Sequence, residues 1–174
     1  MAATRRFQQG LRALLAFSMP IDDDLAAQYL SSEQFTMFKK MARSEQLHSL
    51  NVLRDVLQQA KTTPHDLTVA ALLHDIGKTR YRLMIWQKTL AVLVRQFFPS
   101  LDRHLRQQKK MTFWRAPFIM RYHHPAWSAE LLAKVDASEC TIWLAAQHQT
   151  PIAALADHPH VELLKRLQIA DEAN

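Results

Sequence analysis

Ala70-Ala71-Leu72-Leu73-His74-Asp75-Ile76-Gly77-Lys78 runs from an apolar helix end into two adjacent metal-type ligands, one of only two glycines in the protein, and a lysine. Nothing from Thr68 to Ile76 breaks a helix, so the spacing predicts a helix through this stretch. On it His74 and Asp75 stand about 100° apart and can both turn towards one point. Lys78, four residues on, shares the face of His74, and Gly77 suits a chain leaving the helix. A neutral imidazole beside a carboxylate fits Mn, Fe, Zn or Mg, depending on the other ligands. The same residues would also read as a helix with a polar end, so the remainder of the chain has to decide.

Composition sets the frame. At 174 residues one domain is expected, with enough chain for a real core. Apolar content of 48% with a near-average charged fraction indicates a folded chain rather than a disordered one. Two glycines leave little material for tight hairpins and favour an all-α architecture. A single cysteine, Cys140, excludes an internal disulfide and a cysteine-based zinc site, and fits a cytoplasmic location. No apolar stretch reaches the ~18 residues of a membrane span, and Met1 to Pro20 lacks the apolar centre of a secretory signal.

Charge is spread unevenly. Lys78 to Arg121 holds eleven Lys/Arg residues against one acid, Asp102, a segment charge of +10 that leaves −4 for the rest of a +6 chain. Such a stretch concentrates phosphate-bearing ligands and is also compatible with peripheral contact to an anionic membrane. No helix-turn-helix, RNA-binding or zinc-finger pattern accompanies it, so specific nucleic-acid binding is not expected.

Outward from the central stretch, helical periodicity recurs. Arg5 to Phe17 puts Phe7, Leu11, Leu14 and Leu15 on one stripe. Asp22 to Asp24 and Ser31-Ser32-Glu33 read as two further helix starts. Together residues 1–44 are expected to form N-terminal helices packed on the domain that follows. Arg43 to Ala60 buries Leu47, Leu50, Leu53, Val56 and Leu57, with His48 at the edge of the stripe. Arg80 to Phe98 reads as a long amphipathic helix whose Trp86, Leu90, Leu93, Val94 and Phe97 face a core or a second copy, so a homo-oligomer is open. Pro125 suits the first turn of a helix running to about Lys134, with one of His123 and His124 at its entrance. Ser138 caps a helix ending near His148, and a last helix runs from Val161 through Asp171, after an Asp-His-Pro-His loop whose His158 and His160 are expected to face solvent.

His48, then His74-Asp75, then Asp171 on a terminal helix resembles, in that order, the HD domain superfamily of metal-dependent phosphohydrolases. The resemblance covers residues 45–174 and is carried most specifically by Leu72 to Lys78. His124-Pro125-Ala126-Trp127-Ser128-Ala129-Glu130 is similar to a helix start in members that bind two metals. The resemblance implies an all-helical bundle around a metal centre, with His48, His74, Asp75 and Asp171 on a first divalent ion and His124 and His148 on a second, and mixed His and carboxylate ligands suit Mn, Fe, Co or Ni. The chain lacks the Gly-Tyr-Pro signature of the cyclic-dinucleotide branch, so that substrate is not indicated.

Catalytic roles then fall to Asp75, Lys78, His124 and His148. Asp75 would ligate an ion and orient water. If His124 and His148 do not hold an ion, they would contact the phosphoryl group or protonate the leaving oxygen. Lys78, and an arginine such as Arg82 or Arg121, would offset charge on the phosphorus oxygens. The expected partner is a small phosphorylated substrate, in the first place a nucleotide. The competing expectation is a sensor module that binds metal and nucleotide without turnover.

Overall fold

A computed structural model describes residues 19–107 and 111–174 of the chain. The helix expected over Arg5 to Phe17 lies outside the described residues. Nine α-helices are present among them and no strand: α1 (Asp23–Ala27), α2 (Ser32–Lys40), α3 (Arg43–Gln58), α4 (His65–Leu73), α5 (Ile85–Phe97), α6 (Pro99–Arg106), α7 (Ala116–Leu132), α8 (Glu139–Gln147) and α9 (Val161–Ala173). The fold is all-α, and no described helix is long and apolar enough to cross a membrane.

The central element is α4. Every residue from Leu67 to Leu73 is buried, so this helix has no polar face and must be surrounded. Helices α3, α8 and α9 pack around it, and α7 closes the site end by packing on the turn that follows α4 and on α8. Leu47, Leu50, Leu53 and Val56 of α3 supply one wall, and Leu164, Leu167 and Ala170 of α9 another. Ala26, Met37, Phe38 and Met41 bring α1, α2 and the end of α2 onto the same core. Ser31 and Gln34 form the capping box that starts α2.

Helices α4 and α8 are both nine residues long and begin at the same level. The Ser138 hydroxyl accepts from the Thr141 amide as the cap of α8 and donates to Asp66 in the first turn of α4, 2.6 Å away. Equal lengths from a shared starting level bring the two C-terminal ends together, with His74 on one and His148 on the other. Arg166 anchors α9 by donating to the Val56 carbonyl and the Thr63 hydroxyl, which fixes the helix that carries Asp171.

Several local expectations are corrected. The α-helix stops at Leu73, and Ile76–Arg80 continues as a 3₁₀ turn. Gly77 is not a left-handed helix cap, since no glycine described has positive φ. It is needed because α7 crosses the turn closely: a Cβ there would collide with the His124 carbonyl oxygen and stand 2.8 Å from Ser128 N. In its place the Gly77 amide donates to Ser128 Oγ at 2.9 Å. Helix α5 begins at Ile85 rather than Arg80, and Trp86, Leu93 and Phe97 are exposed rather than packed in a core. Pro125 does not open a helix: α7 starts at Ala116 with Pro117 in its first turn, and Pro125 lies inside it. His158 and His160 are half-buried rather than fully exposed: His158 stacks on Trp143 with ring centroids 3.7 Å apart, and His160 packs edge-on to the same ring.

The close crossing at Gly77 predicts that Gly77→Ala destabilises the fold by about 1–3 kcal/mol through overpacking, read as a drop of several degrees in Tm. A Tm unchanged within error would show that α7 does not approach the turn this closely.

Candidate metal centre

Each site histidine is aimed by its own backbone. In His74 and His148 the Nδ1 atom lies 3.1 and 2.8 Å from the carbonyl three residues earlier, at Ala71 and Ala145. Donating Nδ1–H to that carbonyl turns Nε2 inward, as the ring atom left to meet a cation. His124 achieves the same inside α7 by a different route. Pro125 has no N–H, so the Arg121 carbonyl loses its normal helical donor, and His124 Nδ1 sits 2.9 Å from that oxygen. The proline expected to begin a helix therefore orients a histidine within one.

Asp75 occupies the junction between α4 and the 3₁₀ turn at φ −98°, ψ 5°, in the sparsely populated bridge region. It is almost wholly buried, and its two oxygens face two different groups. Oδ2 lies 3.4 Å from His74 Nε2, 3.9 Å from His48 Nε2 and 2.5 Å from Lys78 Nζ. Oδ1 lies 3.1 Å from His124 Nε2 and 3.7 Å from His148 Nε2. Asp171, from the last turn of α9, reaches His48 Nε2 at 2.9 Å and His74 Nε2 at 3.6 Å. All six residues expected to ligate metal thus meet, from α3, the α4 end, α7, the α8 end and α9.

The donor set fits a divalent cation. Three overlapping trios, His48/His74/Asp75, His74/His148/Asp171 and Asp75/His124/His148, hold their ligand atoms within 4.8 Å of one another. His74 Nε2 and Asp75 Oδ1 are buried without a hydrogen-bond partner, a costly state unless a cation satisfies them. His124 and His148 present Nε2 atoms 3.2 Å apart, both with Nδ1 beside a backbone carbonyl. The C-terminal ends of α4 and α8, negative by their dipoles, converge here as well.

Electrostatics point the same way. Burial opposes charge on His74, yet Asp75 and Asp171 outweigh it and push the imidazole up to about 10, so a proton occupies the cluster in the metal-free protein. Burial, then the charge on His74, push His148 down to about 3. Burial would raise Asp75, but the charges on Lys78 and His74 hold it well below the ordinary carboxylate range. Asp171 is likewise kept low, against its burial, by His48 and His74. Lys78 stays above its ordinary value because Asp75 and Glu45 overcome the cost of burying it.

A cavity of about 290 Å³ opens onto this cluster, lined only by polar side chains: Glu45, His48, Asp75, Lys78, Gln149, Asp171 and Asn174. A larger groove of about 1010 Å³ shares Gln149 and Asp171 with it and extends past Arg121, Tyr122 and His123 to Arg95. Arg121 is therefore near the centre, whereas the exposed Arg82 lines neither space. Three contributors were missed in the sequence. Glu45, one turn before His48 on α3, holds Lys78 at 3.2 Å, and that i, i+3 spacing was a readable signal. Gln149 Nε2 lies 3.3 Å from His124 Nε2, and Asn174 bonds Asp55 at the end of α9; neither carries a local motif.

Compared with known proteins, the HD domain family matches residues 47–173 of the chain. No curated protein and no solved structure matches it. With that match spanning most of an all-helical chain whose His/Asp cluster lies at its centre, the protein belongs to the HD domain family, whose members bind divalent metals and are commonly phosphohydrolases.

Proposed function

We propose that this protein is a metal-dependent phosphohydrolase acting on a nucleotide or a related phosphoester. The observation that carries the reading is the buried pair of polar atoms without a hydrogen-bond partner, His74 Nε2 and Asp75 Oδ1, among four further metal-type residues. In this reading residues 45–174 are the catalytic unit, and the described helices before residue 45 pack on it. His48, His74, Asp75 and Asp171 would hold one divalent ion, and His124 and His148, together with Asp75, would hold a second. When bound, such ions supply the Lewis acidity that polarises a phosphoryl oxygen and makes water acidic enough to attack near neutral pH.

The chain's own residues do the rest. The polar cavity beside His48 and Asp75 suits a phosphoryl group and offers nothing to an apolar ligand. Lys78, charged and held between Glu45 and Asp75, faces that cavity and offsets charge growing on the phosphorus oxygens. Asp75 also orients the attacking water. Along the adjoining groove, Arg121 would take an outer phosphate, and Tyr122 and His123 offer rings against which a base could lie.

The direct test pairs elemental analysis with hydrolysis of a nucleotide panel and a generic phosphodiester in added Mn. The wild-type protein should carry two ions per chain and release phosphate or a nucleoside product. Asp75→Ala should empty both positions and abolish turnover with helical content retained, and His148→Ala should lose one ion. Full metal content in Asp75→Ala would overturn the ligand assignment. Nucleotide binding without turnover in the metal-loaded protein would overturn the enzymatic reading in favour of a sensor.

Titration gives a second check. His74 releases its proton near 10 in the folded metal-free protein, against an ordinary 6.5. Its contribution to metal-free stability is therefore complete below about 6.5 and fades as pH rises towards 10. A metal ion must displace that proton, so affinity should rise about tenfold per pH unit between roughly pH 7 and 9. A pH-independent affinity measured by calorimetry over that window would contradict a proton held in the cluster.

A further inference from the structure

Apolar exposure is concentrated on one excursion of the chain. Of twelve large hydrophobic side chains exposed among the described residues, ten fall between Met84 and Tyr122. Trp86, Leu93 and Phe97 stand seven and four residues apart on α5, which places them on a single stripe of that helix. They are 42%, 48% and 68% exposed. The stripe extends through an aromatic cluster: Trp86, Phe113 and Trp114 lie with every pair of ring centroids 5.5 Å apart. On its inner side α5 is tied down through buried Gln87, whose amide donates to the Phe113 carbonyl, and buried Ala91. The outward stripe is thus a fixed face, not a frayed one.

The same stretch carries the charge excess, eleven Lys/Arg against one Asp from Lys78 to Arg121. Arg82 and Arg103 are exposed and lie outside the larger groove. A clustered apolar face within a strongly basic segment restricts its partner. A second copy would bring two such basic segments together and repel. Residues 1–18 add Arg5, Arg6 and Arg12 and no acid, so that segment offers no complementary charge either. Single-stranded nucleic acid would use the rings and the arginines but gains nothing from exposed Val92, Leu93 and Leu101. An anionic bilayer uses all of them: aromatic rings at the headgroup level, aliphatic side chains just beneath, and arginines against lipid phosphates.

We propose that the α5–α6 excursion docks this protein on anionic lipid bilayers, with the Trp86–Leu93–Phe97 face entering the interface. Contact is interfacial, since no described helix is long and apolar enough to span. Neither the metal ligands nor Lys78 take part, so docking stands or falls separately from hydrolysis.

The test is co-sedimentation of the full chain with vesicles of about 30% phosphatidylglycerol in phosphatidylcholine, and with pure phosphatidylcholine, at about 0.1 M and 1 M salt. Partition to the anionic vesicles is expected, at least about tenfold weaker in high salt or on the neutral lipid, with tryptophan emission shifted to the blue. Leu93→Ser combined with Phe97→Ser, both at exposed positions, should weaken partition at least about tenfold while helical content and metal content stay unchanged. Absence of partition would overturn the proposal. So would binding that the double substitution leaves intact, because charge alone would then account for it. Binding to a single-stranded oligonucleotide but not to vesicles, or a dimer in sedimentation velocity that the same substitution dissociates in a chain that ignores vesicles, would assign the face to another partner.

Discussion

A buried carboxylate organises this protein. Asp75 is almost entirely withdrawn from water, and an isolated charge there would cost far more than the fold can supply. Everything around it answers that problem. Lys78 approaches one oxygen, His124 and His148 approach the other, and His74 keeps a proton that its burial would otherwise remove. These neighbours leave Asp75 Oδ1 and His74 Nε2 without hydrogen bonds. A centre compensated by charge but short of bonds suits a cation.

Rigid geometry makes the arrangement possible. Two helices of equal length, joined at their starts by Ser138 and Asp66, end at the same depth and deliver His74 and His148. A proline inside α7 withdraws a backbone donor, and His124 fills the vacancy in a way that leaves its inner nitrogen free. A glycine lets α7 lie so close that the His124 carbonyl rests against the turn carrying Asp75. The three devices act on backbone register, so the candidate metal-binding side chains are placed by secondary structure rather than by loops.

Much of this was legible in the chain. The all-α class follows from glycine scarcity and 3.6-residue periodicity, whereas the six His and Asp positions, as one ligand set, were expected only through the resemblance to the HD domain superfamily. What escaped the sequence depended on tertiary contact. Gly77 reads as a helix stop because glycine so often is one, and only the crossing of α7 shows the steric need. Pro125 reads as a helix start because an interior proline is normally excluded, and only the His124 ring explains why it is tolerated. The outward stripe of α5 has the same periodicity as a core stripe, and periodicity cannot tell which side another helix will cover. Glu45 and Gln149 reach the site from positions whose relevance depends on where α3 and the end of α8 come to lie.

The fold thus joins a charged, largely buried centre to a polar cavity, and that cavity to a longer groove. The most direct trial of this account is anomalous diffraction from crystals grown with manganese. The account predicts scattering peaks within ~2.0–2.3 Å of His74 Nε2 and an Asp75 oxygen. Peaks found only at surface carboxylates, with His74 and Asp75 still facing each other unbridged, would contradict it.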